Sequence, residues 1–82
     1  MCGIVGITSN DDNFVSEYLK IIKHRGPDGQ GIWSDGNVTL GHNLLAITDK
    51  PYLSKQPYIT PKGNILIYNG EIFNYYELLK RY

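Results

Sequence analysis

The chain begins Met1-Cys2-Gly3-Ile4-Val5-Gly6-Ile7, and this stretch decides the fold. The run from Cys2 to Ile7 is short, apolar and β-branched, which predicts a buried strand. Cysteine is small enough for Met1 to be removed, which would leave Cys2 with a thiol and a free α-amine. A thiol needs a base, and the amine can serve, as it does for N-terminal threonine nucleophiles. The stretch therefore predicts a nucleophile, with a small buried hydrophobe at a strand start as the competing interpretation.

The length of the chain limits its core. Eighty-two residues form one domain at most, and a chain of this size buries only about 60 to 65 % of the surface that it exposes when unfolded. Cys2 is the single cysteine, so an internal disulfide is excluded, and its spacing from the two histidines does not fit a zinc site. We therefore expect further support from more chain or from another subunit.

The charge balance argues against several partners. Eight basic and eight acidic residues cancel, and no basic stripe predicts nucleic-acid binding. The N-terminus lacks the features of a signal peptide, and no segment approaches the roughly 18 apolar residues of a membrane span. A lone thiol without a secretory signal suits a reducing compartment, so we expect a cytoplasmic protein without a membrane partner.

The order of predicted elements is strand, helix, several antiparallel strands and a final helix, which is an α+β fold. The predicted elements are a helix over 14–24 with Phe14, Tyr18, Ile21 and Ile22 as its apolar face, strands over 31–33 and 38–47 around a turn at Asp35-Gly36, a strand over 64–68, and a helix over 75–81. Residues 51–61 carry three prolines and predict a long connection. The last helix lacks a glycine cap, so we expect the chain to be part of a longer one.

A second candidate site follows the predicted strand over 64–68. Asn69 and Gly70 come at the end of that strand, where a side-chain amide and a glycine N–H can donate two hydrogen bonds to a developing oxyanion. Glu71, the next residue, can bind a substrate ammonium group. The alternative is an ordinary Asn-Gly turn.

A third segment, 24–29, combines charged residues with a tight turn. Arg25 and Asp28 can pair across that turn, which would be a structural role. His24 has the position of a helix cap, and the alternative is a base for Cys2. His42, inside the predicted strand over 38–47, is expected to pack or to form a hydrogen bond.

Five segments, taken together, resemble the class II glutamine amidotransferases, and most closely the glutaminase domain of the asparagine synthetase family. The segments are MCGIVGI at 1–7, HRGPDGQGIW at 24–33, the run from Leu40-Gly41-His42 to Ile47, Gln56-Pro57, and NGEIFNY at 69–75. The Gly-Pro-Asp of the second segment favours this branch over the glucosamine-phosphate synthases and amidophosphoribosyltransferases. With this resemblance, the nucleophile interpretation of Cys2 is preferred.

The resemblance implies a fold and a set of partners. The fold is the N-terminal-nucleophile hydrolase, an αββα sandwich, of which residues 1–82 would be an incomplete N-terminal portion. The substrate would be L-glutamine, and the ammonia released would pass to a synthetase domain that amidates aspartate. No cofactor is expected in this segment, because ATP and Mg²⁺ would belong to that downstream domain. A C-terminal half or a synthetase domain is expected in cis or in trans, and an oligomer is one arrangement that supplies it.

The resemblance also implies residue roles. Cys2 would be the nucleophile that attacks the side-chain amide of glutamine, and Asn69 and Gly70 would form the oxyanion hole. Glu71 lies where the family contacts bound glutamine. The residues at the positions that line the glutamine pocket are Leu44, Leu45, Ala46, Ile47 and Thr48.

Two departures from the family pattern bear on activity. Leu44 occupies the position of an arginine that clamps the glutamine α-carboxylate, and loss of that contact would cost about 2 to 4 kcal/mol of substrate binding. The chain also ends before the pocket aspartate of the family. Three interpretations remain open: the N-terminal part of a glutamine-hydrolysing enzyme, an inactive remnant or binding module, and an assembly in which a separate chain supplies the missing layers.

Overall fold

The computed structural model describes residues 2–46 and 55–82. Its elements are β1 (Gly3–Ile7), α1 (Asp12–Ile21), a 3-10 turn (Lys23–Arg25), β2 (Gly29–Ser34), β3 (Thr39–Leu44), β4 (Tyr58–Ile59), β5 (Ile65–Leu66) and α2 (Tyr75–Arg81). One antiparallel sheet has the order β1-β3-β2, and β4 pairs with β5 in a second. This is an α+β fold, as predicted.

β3 is the centre of the larger sheet and of the core. Its residues pair on one side with β1, where His42 faces Ile4, and on the other with β2, where His42 faces Gly31. Five of its six residues are buried. Pairing on both edges satisfies the backbone of β3 and lets the strand lie in the interior.

Helix α1 covers one face of this sheet, but not with the predicted apolar side. Val15 and Leu19 are fully buried, whereas the predicted residues Phe14, Tyr18 and Ile21 are 42 %, 47 % and 68 % exposed. Val15 and Leu19 lie directly over Gly41 of β3, where the missing side chain lets the helix approach closely. Three of the four predicted apolar residues were therefore wrong, whereas the fourth, Ile22, is half-buried beside Gly3.

Polar side chains tie α1 and its flanks to the sheet. Asp11 caps the helix by accepting a hydrogen bond from the Phe14 N–H at 2.9 Å. Thr39 Oγ1 donates to the Ser9 carbonyl at 2.7 Å and accepts from the Asp11 N–H at 2.9 Å. Asn43 Nδ2 donates to the Leu19 carbonyl at 2.7 Å. Every buried side-chain polar atom in the described ranges has a partner, which is the condition for burying them without a large penalty.

Several predicted boundaries need correction. β1 is not a fully buried strand, because Ile4, on the face away from α1, is 45 % exposed. β3 ends at Leu44 rather than at 47, and Ile47 lies outside the described residues. The strand predicted over 64–68 is only Ile65–Leu66 and is not buried. The turn at Asp35-Gly36 is confirmed, since the Asp35 N–H donates to the Val38 carbonyl at 3.0 Å. The helix predicted over 75–81 is α2.

In the described ranges, no helix combines the length and apolar character that a membrane crossing requires.

Candidate functional site

Cys2 lies immediately before β1, and its half-buried thiol contacts the backbone of Leu45. The Leu45 N–H donates to Cys2 Sγ at 3.4 Å, and Cys2 Sγ lies 3.9 Å from the Leu45 carbonyl oxygen, to which it can donate. The structure therefore brings the predicted nucleophile against one residue of the predicted pocket segment, 44–48. Ile47 and Thr48 of that segment lie outside the described residues.

The loop between α1 and β2 holds these two segments together. Arg25 Nε donates to the Cys2 carbonyl at 3.1 Å. Asp28 Oδ2 accepts from the Ala46 N–H at 2.8 Å, and the Asp28 N–H donates to the Leu44 carbonyl at 2.8 Å. Charged side chains on backbone groups form stronger hydrogen bonds than neutral pairs, so the loop fixes the chain on both sides of the thiol.

The predicted pairing of Arg25 with Asp28 is wrong. Within residues 2–46 and 55–82 the single ion pair is Lys20–Glu17, at 3.1 Å on the surface of α1. Arg25 and Asp28 instead bind backbone groups of two different segments. His24, in the 3-10 turn, is exposed, and its ring makes no hydrogen bond within the described part of the chain.

Leu44 is 5 % exposed and packs beside Gly29 of β2. A buried aliphatic side chain offers no hydrogen-bond donor to a carboxylate. Leu45 and Ala46, which follow the end of β3, are half-buried. In the described part of the segment, the groups that can bind a polar ligand are therefore backbone N–H and C=O groups.

In the second predicted half of the site, Gly70 and Glu71 line a cleft of about 500 Å³, whereas Asn69 is not among its lining residues. Asn69 is half-buried, and Gly70 and Glu71 are exposed. The cleft is lined by Tyr68, Gly70, Glu71, Ile72, Phe73, Tyr75 and Tyr76, and Cys2 is not among these residues. No hydrogen bond in the described ranges joins Cys2 to Asn69 or Gly70. The structure thus presents two groups of candidate residues, one around Cys2 and one around Gly70.

His42 connects the sheet to this second group. Its side chain is 1 % exposed, and Nε2 lies 3.3 Å from the Tyr68 carbonyl oxygen. A carbonyl can only accept, so the ring carries its proton on Nε2 and is neutral or fully protonated. Burial lowers the pKa of His42 below its ordinary value of 6.5, and the hydrogen bond to Tyr68 opposes that shift more weakly. The neutral form is therefore favoured, and the predicted hydrogen-bonding role of His42 is confirmed.

One residue of this arrangement received no role from sequence. Gln56 Oε1 accepts from the Tyr68 N–H at 2.7 Å. The signal was present, since Gln56-Pro57 is one of the five segments behind the family resemblance, but a lone glutamine in a proline-rich connection has no characteristic spacing. In the described ranges no group of three or more His, Cys, Asp or Glu side chains is arranged to hold a metal ion.

Comparison with known proteins identifies the family. The model of the family described as "Glutamine amidotransferase domain" matches this chain over residues 1–82. The chain belongs to the glutamine amidotransferase domain family. No solved structure matches it significantly.

Curated relatives of this glutamine amidotransferase domain are asparagine synthetases. This chain is 36 % identical to the "Asparagine synthetase [glutamine-hydrolyzing]" of Asparagus officinalis over 88 aligned residues. The alignment covers 99 % of this chain and 15 % of the relative. This chain is 33 % identical to "Asparagine synthetase B [glutamine-hydrolyzing]" of Escherichia coli K12. That alignment covers 100 % of this chain and 16 % of the relative. A putative asparagine synthetase of Methanocaldococcus jannaschii is 34 % identical over 105 residues, covering 100 % and 20 %. The chain therefore spans between about a seventh and a fifth of these relatives and corresponds to their N-terminal amidotransferase region.

Proposed function

We propose that this chain is the glutamine-hydrolysing part of an asparagine synthetase-like amidotransferase and that Cys2 is its nucleophile. The observation that supports this most directly is the thiol itself, half-buried and held against the Leu45 backbone beside the segment where the family lines its glutamine pocket. The Arg25 and Asp28 contacts fix both chain segments at this point. A positioned thiol next to a substrate-binding segment is the arrangement that covalent catalysis requires.

The proposed reaction begins when the thiol proton passes to the α-amine that removal of Met1 exposes. The sulfur forms a bond to the amide carbon of the glutamine side chain, and the oxygen takes the negative charge. The Asn69 amide and the Gly70 N–H stabilise that oxyanion. Collapse breaks the carbon–nitrogen bond, the proton returns to the nitrogen, and ammonia leaves. Water then cleaves the thioester to give glutamate and the free thiol.

The proposed partners follow from the relatives. L-Glutamine is the substrate, and Glu71 contacts its ammonium group. The ammonia acceptor and the sites for ATP and Mg²⁺ belong to a synthetase domain, in cis or in trans, and this segment itself binds no cofactor. A domain with the αββα sandwich would require further layers on the open faces of both sheets. The proposed location of the protein is the cytoplasm.

The test is covalent labelling of the Met1-free chain with a diazo-ketone analogue of glutamine. We expect one adduct, on Cys2, forming faster than free cysteine reacts, and none in a Cys2→Ser variant. Intact mass spectrometry reports both the adduct and the state of the N-terminus. Folded, Met1-free protein that forms no adduct would contradict the proposed nucleophile.

A second candidate function is a non-catalytic member of the same family, and the burial of Leu44 favours it. Leu44 is 5 % exposed beside Gly29 and carries no hydrogen-bond donor on its side chain, so this chain has no clamp for an α-carboxylate there. The discriminating variant is Leu44→Arg in a chain extended by a C-terminal half from a relative. Glutaminase activity that appears only with Leu44→Arg would assign the lost clamp as the cause of inactivity, and activity without it would remove this candidate.

A further inference from the structure

Within residues 2–46 and 55–82, the backbone of Tyr68 has no strand partner. Strand β5 ends at Leu66, so neither the N–H nor the C=O of Tyr68 belongs to a ladder between described strands. Side chains satisfy both groups instead: Gln56 Oε1 accepts from the N–H at 2.7 Å, and His42 Nε2 donates to the carbonyl at 3.3 Å. Two side chains from distant parts of the sequence therefore converge on one residue.

The strand pair that contains His42 also lies against the backbone of Gln56. Gly31 of β2 pairs directly with His42 of β3. The Gln56 carbonyl lies so close to Gly31 that a Cβ on that residue would overlap it. These contacts link four residues in a ring: Gly31, His42, Tyr68 and Gln56.

These contacts also restrain Asn69, the residue that follows Tyr68. A peptide unit is planar, so holding the Tyr68 carbonyl also fixes the Asn69 N–H and Cα of the same plane. Gly70 follows one Cα–Cα step later, about 3.8 Å away. The hydrogen bond from His42 therefore restrains the start of the segment that carries both predicted oxyanion donors.

The same rung relates these donors to Cys2. His42 pairs across the sheet with Ile4, two residues after Cys2. Extending the alternation of β1 by one residue places Cys2 and Ile4 on one face, about 7 Å apart along the strand. His42, which forms the hydrogen bond to Tyr68, is therefore paired with the residue that shares a sheet face with Cys2.

We infer that His42 and Gln56 are positioning residues for the oxyanion hole: together they clamp the Tyr68 backbone and register Asn69 and Gly70 against the strand that carries Cys2. This inference rests on the proposed function. In the described ranges neither His42 nor Gln56 forms a hydrogen bond with the thiol, and the proposed reaction assigns neither of them a contact with the substrate. Their effect is confined to the geometry of the donors.

The experiment compares two alkylating reagents on the Met1-free chain. With the diazo-ketone glutamine analogue, the sulfur bonds to the diazo-bearing carbon, the thiol proton ends on that carbon, and dinitrogen leaves, while donors to the neighbouring ketone oxygen assist. With iodoacetamide, the sulfur displaces iodide and the thiol proton goes to solvent, without a bound pose. The ratio of the two rate constants therefore separates donor geometry from thiol reactivity.

The variants keep or remove each hydrogen bond. His42→Leu and Gln56→Met remove the donor and the acceptor, whereas His42→Gln and Gln56→Glu retain a group of each kind. We expect both removing variants to lower the ratio about tenfold or more, since loss of one oxyanion donor costs about 10² to 10³ in rate. The retaining variants are expected to recover most of it. His24→Gln, at the exposed histidine, is expected to leave the ratio unchanged.

Amide hydrogen exchange supplies a second readout on the same proteins. We expect faster exchange at Tyr68, Asn69 and Gly70 in the removing variants, with exchange in β3 preserved. Wild-type protein that labels while His42→Leu and Gln56→Met retain its ratio would overturn the inference and leave the proposed function intact. A wild type that labels with iodoacetamide alone would overturn the proposed function, and the inference with it.

Discussion

Residues 55–82 are richer in apolar residues than residues 3–46, with 13 of 28 against 16 of 44, but the two regions differ in what their side chains contact. Every buried side chain in the described ranges belongs to the first region, where β3 is paired on both edges and covered by α1. The second region has none, and Phe73 and Tyr82 are 99 % and 93 % exposed. Apolar sequence therefore becomes core only where another element is placed to receive it. The contacts between the two regions include the hydrogen bond from His42 to the Tyr68 carbonyl and the close approach of the Gln56 carbonyl to Gly31.

The largest expected difference between the regions comes from removing an aliphatic side chain. Leu19 is fully buried in the first region, and Leu79 is 63 % exposed in the second. We expect Leu19→Ala to lower the free energy of unfolding by about 2 to 5 kcal/mol, because it leaves a cavity under α1. Leu79→Ala is expected to change it by about 0.5 kcal/mol or less. Urea denaturation of the two variants measures both values, and equal losses would show that the second region has a core of its own.

A smaller effect is expected from a buried amide. Asn43 Nδ2 is the side-chain partner of the Leu19 carbonyl near the end of α1, and its loss would leave that carbonyl buried and unpaired. We expect Asn43→Ala to cost about 1 to 3 kcal/mol. Asn64→Ala, at an exposed position in the second region, is the matched control and should be close to neutral. Comparable losses in both variants would contradict a specific role for the Asn43 hydrogen bond.

Sequence predicted the local structure of both regions better than their packing. The turn at Asp35-Gly36 and the helix over 75–81 were predictable because their signals lie within a few neighbouring residues. The buried face of α1 was not, since Gly41, distant in sequence, decides it. The length of β5 failed for the same reason, because a strand persists only as far as its partner does.

The candidate site shows the same division. The prominence of Cys2, and the family to which the chain belongs, followed from the residues themselves. That Arg25 binds the Cys2 carbonyl and Asp28 binds the Ala46 N–H did not follow, because the local pairing of the two charges was the simpler expectation. Gln56 acquires a role only through Tyr68, 12 residues further along the chain.

Helix caps provide a third comparison of the regions. Asp11 accepts a hydrogen bond from the Phe14 N–H at the start of α1, whereas Asn74, at the start of α2, makes no such bond with its side chain. We expect Asp11→Ala to cost about 1 kcal/mol and Asn74→Ala a few tenths at most. Thermal unfolding followed by circular dichroism gives both shifts. A larger loss for Asn74→Ala would mean that its side chain caps α2 in solution.

The smallest expected effect is the pH dependence due to His42, the residue that joins the regions. Burial lowers its pKa in the folded state, and the hydrogen bond to Tyr68 partly opposes burial, so the net shift is reduced. Below pH 6.5 the unfolded chain binds this proton more readily than the folded one. Stability from this group is therefore complete above about pH 6.5 and falls as the pH drops through the folded-state pKa.

Urea midpoints at pH 7.5 and pH 5.5 test this dependence. We expect the wild type to lose more stability between the two values than His42→Gln, which cannot titrate. The comparison uses the slope with pH, so a uniform loss of stability in His42→Gln does not affect it. Identical slopes for wild type and His42→Gln would mean that the ring is solvated in solution. The contact between the two regions would then be looser than the 3.3 Å hydrogen bond indicates.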